Sequence, residues 1–296
     1  MISAITGREM LQTSRKLYLA TLRSFHTYHT KAPLAECHRE FLDLVRSHGG
    51  GNIHMNHRGS YIELIIDNAK KRNSITGKMM NQFAEIVDKL VPAYSTSGAE
   101  NSVVGVILTG SGKDAFCSGA DLTLAREVLN TPAKGGLMSA FMTDALNRLR
   151  QSDLISICSL NGPALGGGSE IVTACDFRIM PSDENNYIQF IHAKIGACPG
   201  WGGARRLTSI VGRNQALLAC AGSLKLTPQK ALDMHLVDAL YCIFHRRLAR
   251  GACYQPGCGV PGTFSSTEIS WFSARHKTLH CGCGISGYPA IYGARG

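Results

Sequence analysis

Between residues 61 and 240 the apolar positions switch repeatedly between a strand-like and a helix-like period. Tyr61–Asp67 (YIELIID) is rich in β-branched residues and predicts a first strand. Met79, Met80, Phe83, Ile86, Val87 and Leu90 then recur at helical spacing, with Pro92 just beyond as the expected stop. Residues 103–109 are short, apolar and β-branched and end at Gly110, the pattern of a strand buried on both faces. Leu137, Met138, Phe141, Met142, Ala145, Leu146 and Leu149 place a second helix. Strand-like 154–160, a buried helix over 171–174 and strand-like 177–180 follow. Alternating strands and helices predict an α/β layer architecture.

Three helices are expected next, over 204–211, 214–221 and 227–235, the last with Thr227 as cap and Pro228 at its first position, where a missing N–H costs nothing. Upstream, 36–45 predicts a short amphipathic helix, and Gly49, Gly50 and Gly51 interrupt the chain before the first strand. From Tyr241 onward nine glycines and five cysteines show no sustained apolar period, so 241–296 reads as an atypical, poorly ordered tail. The expected organisation is a disordered leader over 1–35, one folded domain over 36–240, and this tail.

At 296 residues, 44% hydrophobic and 18% charged, the chain is long enough for a sizeable core and has the composition of a globular protein. No apolar stretch approaches the roughly 18–20 residues needed to cross a bilayer. The net charge of +10 would point to nucleic acid if it were spread over the domain, but it is +4 over 1–35, +5 over 241–296 and only +1 between them. The middle is nearly neutral, which argues against a nucleic-acid partner. Singly placed thiols such as Cys158, Cys175 and Cys220 read as small buried hydrophobes of a reducing compartment. The leader is basic, Ser/Thr-rich and almost free of acid, so a mitochondrial address stands beside a cytosolic one. In the tail, Cys253, Cys258, His276, His280, Cys281 and Cys283 could be taken as a zinc site, but their spacing is irregular and no core accompanies them.

Three segments carry candidate chemistry: residues 116–122 (FCSGADL), 161–170 (NGPALGGGSE) and 199–203 (PGWGG). The second sets three glycines between a strand and a helix, so that peptide N–H groups can approach a negatively charged oxygen at a positive helix end. Tight strand-to-helix turns also need glycine for steric reasons alone. Neither a G-x-G-x-x-G dinucleotide fingerprint nor a P-loop is present.

Taken together, in this order and spacing, these segments resemble the crotonase (enoyl-CoA hydratase/isomerase) superfamily over about residues 59–240. The resemblance implies a repeated ββα spiral followed by a helical region, assembled as a homotrimer or a dimer of trimers, and binding an acyl-CoA thioester without metal or other cofactor. Carried over by motif, the backbone N–H groups of Ala120 and Gly167 hold the thioester oxygen. Donors aimed there stabilise an enolate as it forms. Lys71, Arg72 and Ser74 fall where the family meets the adenine and phosphate end of CoA. Ser118, Gly119, Asp121, Leu122, Gly166 and Trp201 complete the expected substrate contacts, with Trp201 shaping the acyl pocket.

Hydratases of the superfamily use two carboxylates. Here Glu170 fits the first position, but His192 occupies the second. His192, Trp201 and the run 173–180 resemble superfamily members that remove CO2 from alkylmalonyl-CoA thioesters, ethylmalonyl-CoA first and methylmalonyl-CoA more weakly. The expectation is therefore a carboxy-lyase of metabolite clean-up in fatty acid metabolism, with His192 and Glu170 sharing the steering of the carboxylate and the proton. The alternatives are a hydratase or isomerase using Glu170, and a non-catalytic crotonase-fold protein binding RNA through its basic ends. The tail departs from the superfamily, whose chains continue past residue 239 with further helices that cover the acyl pocket and build the oligomer.

Overall fold

The computed structural model describes residues 34–94 and 103–241. A six-stranded sheet in the order β1-β2-β3-β4-β6-β8 forms its frame, and a separate parallel pair, β5 and β7, lies apart from that sheet. The strands are β1 (Asn52–His57), β2 (Tyr61–Asp67), β3 (Gly105–Gly110), β4 (Ile155–Ser159), β5 (Ala164–Leu165), β6 (Phe177–Pro181), β7 (Ile188–Gln189) and β8 (Ala239–Tyr241). Only β1 and β2 pair antiparallel, and every other pairing is parallel. The α/β expectation holds, and the parallel strands are joined by helical crossovers as parallel strands require.

Eight α-helices complete the described chain: α1 (Leu34–Val45), α2 (Gly77–Tyr94), α3 (Leu122–Glu127), α4 (Pro132–Arg150), α5 (Gly167–Val172), α6 (Gly203–Val211), α7 (Arg213–Ala221) and α8 (Pro228–Asp233). Phe41 and Val45 of α1, Met79, Met80, Phe83, Val87 and Leu90 of α2, and Phe141, Met142, Ala145, Leu146 and Leu149 of α4 are all buried with Ile62, Leu64, Ile66, Val106 and Leu108 of the sheet in one core. The apolar stripes read in the sequence are the buried faces.

Several details depart from the sequence reading: β5, β7 and β8 are too short to show an apolar alternation and were not expected, and the helix expected over 171–174 starts within the glycines, at Gly167, and ends at Val172. Strand β1 was not expected, because NIHMNH is mostly polar; an edge strand needs only one buried face, and Ile53 is its single buried residue. Helix α2 continues to Tyr94, past Pro92, and so does not stop before it. The short helix α3 was not read, since six residues cannot show a period. Thr227 does occupy the cap position of α8 in extended conformation, but its hydroxyl makes no capping hydrogen bond. Apart from residues 34–35 and Tyr241, the leader and the atypical tail, with its Cys/His cluster, lie outside the described residues, so the expected boundaries at 35 and 240 remain expectations.

Candidate active site

Two backbone segments meet where the sequence places the oxygen-binding groups. Segment 118–121 runs beside 72–75: Ile75 N–H donates to Gly119 O (2.8 Å), and Asp121 N–H donates to Ile75 O (2.9 Å). Successive N–H groups of an extended segment point to opposite edges, so the Ala120 N–H faces away from this partner. Gly167 opens α5, where the first N–H groups have no carbonyl within the helix. Among the described residues neither the Ala120 nor the Gly167 N–H meets an acceptor. The segments touch: Gly119 has φ +96°, and a methyl group on it would stand 2.8 Å from the Gly167 nitrogen. Gly166, at φ +52°, anchors the turn by donating to Gln189 O (3.1 Å). Glycine at 119 thus serves both a left-handed backbone and a close approach.

Glu170 lies one turn along α5, 1% exposed. Its Oε1 accepts from Gly200 N–H (3.1 Å), and its Oε2 accepts from Trp201 N–H (2.7 Å) and Gly203 N–H (2.8 Å). Nε2 of His192 stands 3.1 Å from Oε1. His192 sits on a single turn of 3₁₀ helix, Ile191–Ile195, and is buried; its Nδ1 is also buried and has no hydrogen-bond partner. The structure therefore brings His192 and Glu170 together. It shows a carboxylate bound to the facing loop 199–203, not one hydrogen-bonded within its own turn.

Trp201 covers Gly167. A methyl group at Gly167 would lie 2.5 Å from its Cζ3, and the indole is 2% exposed. The loop beneath is held by Thr143 Oγ1 (3.2 Å) and Ser139 Oγ, both donating to Gly200 O. Arg206, a residue the sequence reading missed, is buried behind it. Its guanidinium donates to Trp201 O (2.7 Å), Glu170 O (3.2 Å), Thr173 Oγ1 (3.1 Å) and Asn147 Oδ1 (3.2 Å). Burial lowers its pKa to about 10 against the opposing pull of the Glu170 charge, so it remains a cation at neutral pH. Sequence alone offers two adjacent arginines, Arg205 and Arg206, and no signal to tell the exposed one from the buried one.

The remaining candidates divide. Asp121 is buried and caps α3, accepting from Thr123 N–H (2.8 Å) and Leu124 N–H (3.3 Å), while its other oxygen takes Lys71 Nζ (2.9 Å) and Ser74 Oγ (3.5 Å). Burial raises its carboxyl pKa, but Lys71 and the two N–H groups outweigh this and hold it below 3.8. Asp121 and Ser74 are thus engaged within the protein, and Lys71 with them, although the lysine side chain is half exposed. Arg72 is exposed at φ +52°, its carbonyl accepting from Ser118 N–H (3.0 Å). Leu122 is exposed at the start of α3. Among the described residues no cluster of His, Cys, Asp and Glu could hold a metal ion, and no helix is long and apolar enough to cross a membrane.

A sequence profile of the enoyl-CoA hydratase/isomerase family matches residues 57–243. The chain belongs to this family. Family relatives named ethylmalonyl-CoA decarboxylase are 38% identical in mouse over 230 residues, 78% of this chain and 65% of the relative, and 37% identical in cattle over 236 residues, 80% and 70%. The chain thus spans about two thirds of the length of the curated relatives it matches. Among solved structures, enoyl-CoA hydratase from Bacillus anthracis superposes with a TM-score of 0.58 at 25% identity, covering 64% of this chain and 70% of the other. That from Geobacillus kaustophilus gives 0.58 at 25%, covering 66% and 69%. These likenesses bear out the crotonase-type fold.

Proposed function

We propose that the protein decarboxylates ethylmalonyl-CoA, and methylmalonyl-CoA more weakly, through a thioester enolate. The observation that carries this reading is the pair of unpartnered N–H groups of Ala120 and Gly167 on touching segments. When the Cα–carboxylate bond breaks, its electron pair moves into the thioester, and charge develops on the oxygen those N–H groups would hold. Each such donor contributes about 3–4 kcal/mol to the transition state. The thioester is itself the electron sink, so the reaction as proposed calls for no metal, biotin or nicotinamide. Trp201, lying on Gly167, is assigned the wall beside the acyl group, and Lys71 and Arg72 the phosphates of CoA.

The relatives named ethylmalonyl-CoA decarboxylase support this reaction over hydration. So does the site, in which the second hydratase carboxylate is replaced by His192 and the first, Glu170, already accepts three backbone N–H groups. A trimeric assembly and a cytosolic location belong to the same proposal and rest on the resemblance alone. The deciding experiment is CO2 release from ethylmalonyl-CoA by the full chain, compared with hydration of crotonyl-CoA. Efficient hydration without CO2 release would overturn the reading.

A further inference from the structure

We infer that Asn73 is a positioning residue whose side-chain amide sets the place of the Ala120 N–H relative to that of Gly167. The inference deepens, and rests on, the reading that these two N–H groups hold a thioester oxygen.

Asn73 is 1% exposed and has φ +54°, directly after Arg72 at φ +52°. Asparagine is among the few residues with a side chain that take up this left-handed conformation readily. Burying a primary amide costs free energy unless its groups are paired, and here they are. Oδ1 accepts from Asn68 N–H (3.0 Å), and Nδ2 donates to Ser111 O (2.9 Å) and Ala115 O (2.8 Å). The opposite placement of oxygen and nitrogen would set the NH2 against an N–H and the oxygen against two carbonyls, so these partners fix the orientation of the amide. It has little slack, since a methyl group on Gly110 would stand 2.8 Å from Nδ2.

One of the groups it grips is the peptide joining residues 115 and 116. The carbonyl of that peptide accepts from Asn73, and its N–H donates to Pro163 O (3.0 Å). The next rung is Leu165 N–H to Cys117 O (2.9 Å), so 115–117 runs beside 163–165, the stretch that leads into Gly167. Past Cys117 the chain takes its hydrogen bonds from another neighbour: Ser118 N–H donates to Arg72 O (3.0 Å), Ile75 N–H to Gly119 O (2.8 Å) and Asp121 N–H to Ile75 O (2.9 Å). The Ala120 N–H is therefore placed by segment 72–75, whereas the Gly167 N–H follows from 163–165. Asn73 belongs to the first segment and holds the peptide bonded to the second. Without its amide that side-chain tie between the two registers is lost, and a donor displaced by about 1 Å costs about 10²-fold in rate.

The test follows butyryl-CoA, carrying ¹³C at the thioester carbonyl, by infrared spectroscopy of its saturated complex with the full chain. Two donors on the carbonyl oxygen weaken the C=O bond, so the wild type should lower the band below that of free butyryl-CoA. Asn73→Gly keeps the left-handed backbone and deletes the amide. Its band should return toward the free position, and CO2 release from saturating ethylmalonyl-CoA should fall about 10- to 10²-fold. Asn73→Asp keeps the shape and the acceptor for Asn68 N–H, but with at most one hydrogen it cannot serve both carbonyls. Its band should move part of the way, which decides the matter even if the glycine variant does not fold. Phe41→Leu thins the core between α1 and α4, where the Phe41 and Phe141 ring centres lie 4.9 Å apart, and should lower Tm without moving the band. A lowered wild-type band that stays in place in the Asn73 variants, or that moves as far in Phe41→Leu, overturns the inference. A wild-type band at the free position overturns it together with the role given to Ala120 and Gly167. The expected band shifts without CO2 release by the wild type would remove the decarboxylase reading and leave the positioning role standing.

Discussion

Gly167→Ala places one methyl group at the most crowded point of the site. That carbon would stand 2.5 Å from Cζ3, 2.7 Å from Cη2 and 2.9 Å from Cε3 of Trp201. Carbon atoms at rest keep about 3.5–4.0 Å, so the indole or the start of α5 must retreat by about 1 Å. The indole has little room to give, because it is buried, and the Trp201 backbone that carries it is held by its N–H to Glu170 and its carbonyl to Arg206. Overpacking of this kind costs about 1–3 kcal/mol, which for a domain of this size lowers Tm by roughly 2–12 °C. A 1 Å displacement of the Gly167 amide costs about 10²-fold in rate if that amide holds the developing oxyanion. Calorimetry and single-turnover CO2 release from ethylmalonyl-CoA measure the two effects separately. Trp201→Phe removes the outer ring that carries the three crowded atoms, and in that background Gly167→Ala should cost less than about 0.5 kcal/mol. A lowered Tm with an unchanged rate would refute the role given to the Gly167 amide; an unchanged Tm would refute the packing reasoning itself.

Arg206→Met removes a buried cation, leaves Trp201 O without its donor and Glu170 without the cation behind it; unfolding in urea should show a loss of about 3–5 kcal/mol. Asp121→Asn should destabilise the protein at neutral pH, and because the folded carboxyl is held below its ordinary value, the pH-dependent part of the difference from wild type should be lost as acid protonates the folded carboxyl; a difference that grows on acidification would contradict this. Lys71→Ala should change stability by about 0–1 kcal/mol, since the lysine is half exposed, and a raised KM for the CoA thioester would separate a phosphate contact from a purely structural one. Among the described cysteines, iodoacetamide at neutral pH should label exposed Cys198 and spare Cys117, whose thiol burial pushes up to about 12, and Cys158, raised for the same reason; peptide mapping of native and unfolded protein checks this.

What the sequence determined by itself was periodic or conformational. The stripe from Met79 to Leu90, the run before Gly110 and the stripe from Leu137 to Leu149 each declare their element, because burial of one face demands a repeat that can be counted. Glycines 166, 167 and 168 declared a turn that suits glycine, the first for its φ of +52° and the other two because a methyl group would meet Trp201 or the Cys117 carbonyl, and the spacing of three motifs was enough to suggest the superfamily. The sequence could not say which polar residues spend their hydrogen bonds inside the protein. Only the fold shows that Asp121 and Lys71 face each other, and that loop 199–203 closes three N–H groups onto Glu170. Arg206 and Asn147, 59 residues apart, meet only because α4 and α6 pack against the same loop. A side chain's chemistry depends on partners supplied by distant segments, and pairing at such distances leaves no periodic trace along the chain. The approach of His192 to Glu170 is of that kind: both residue types were readable in the sequence, but that Nε2 stands 3.1 Å from Oε1 was decided by the fold.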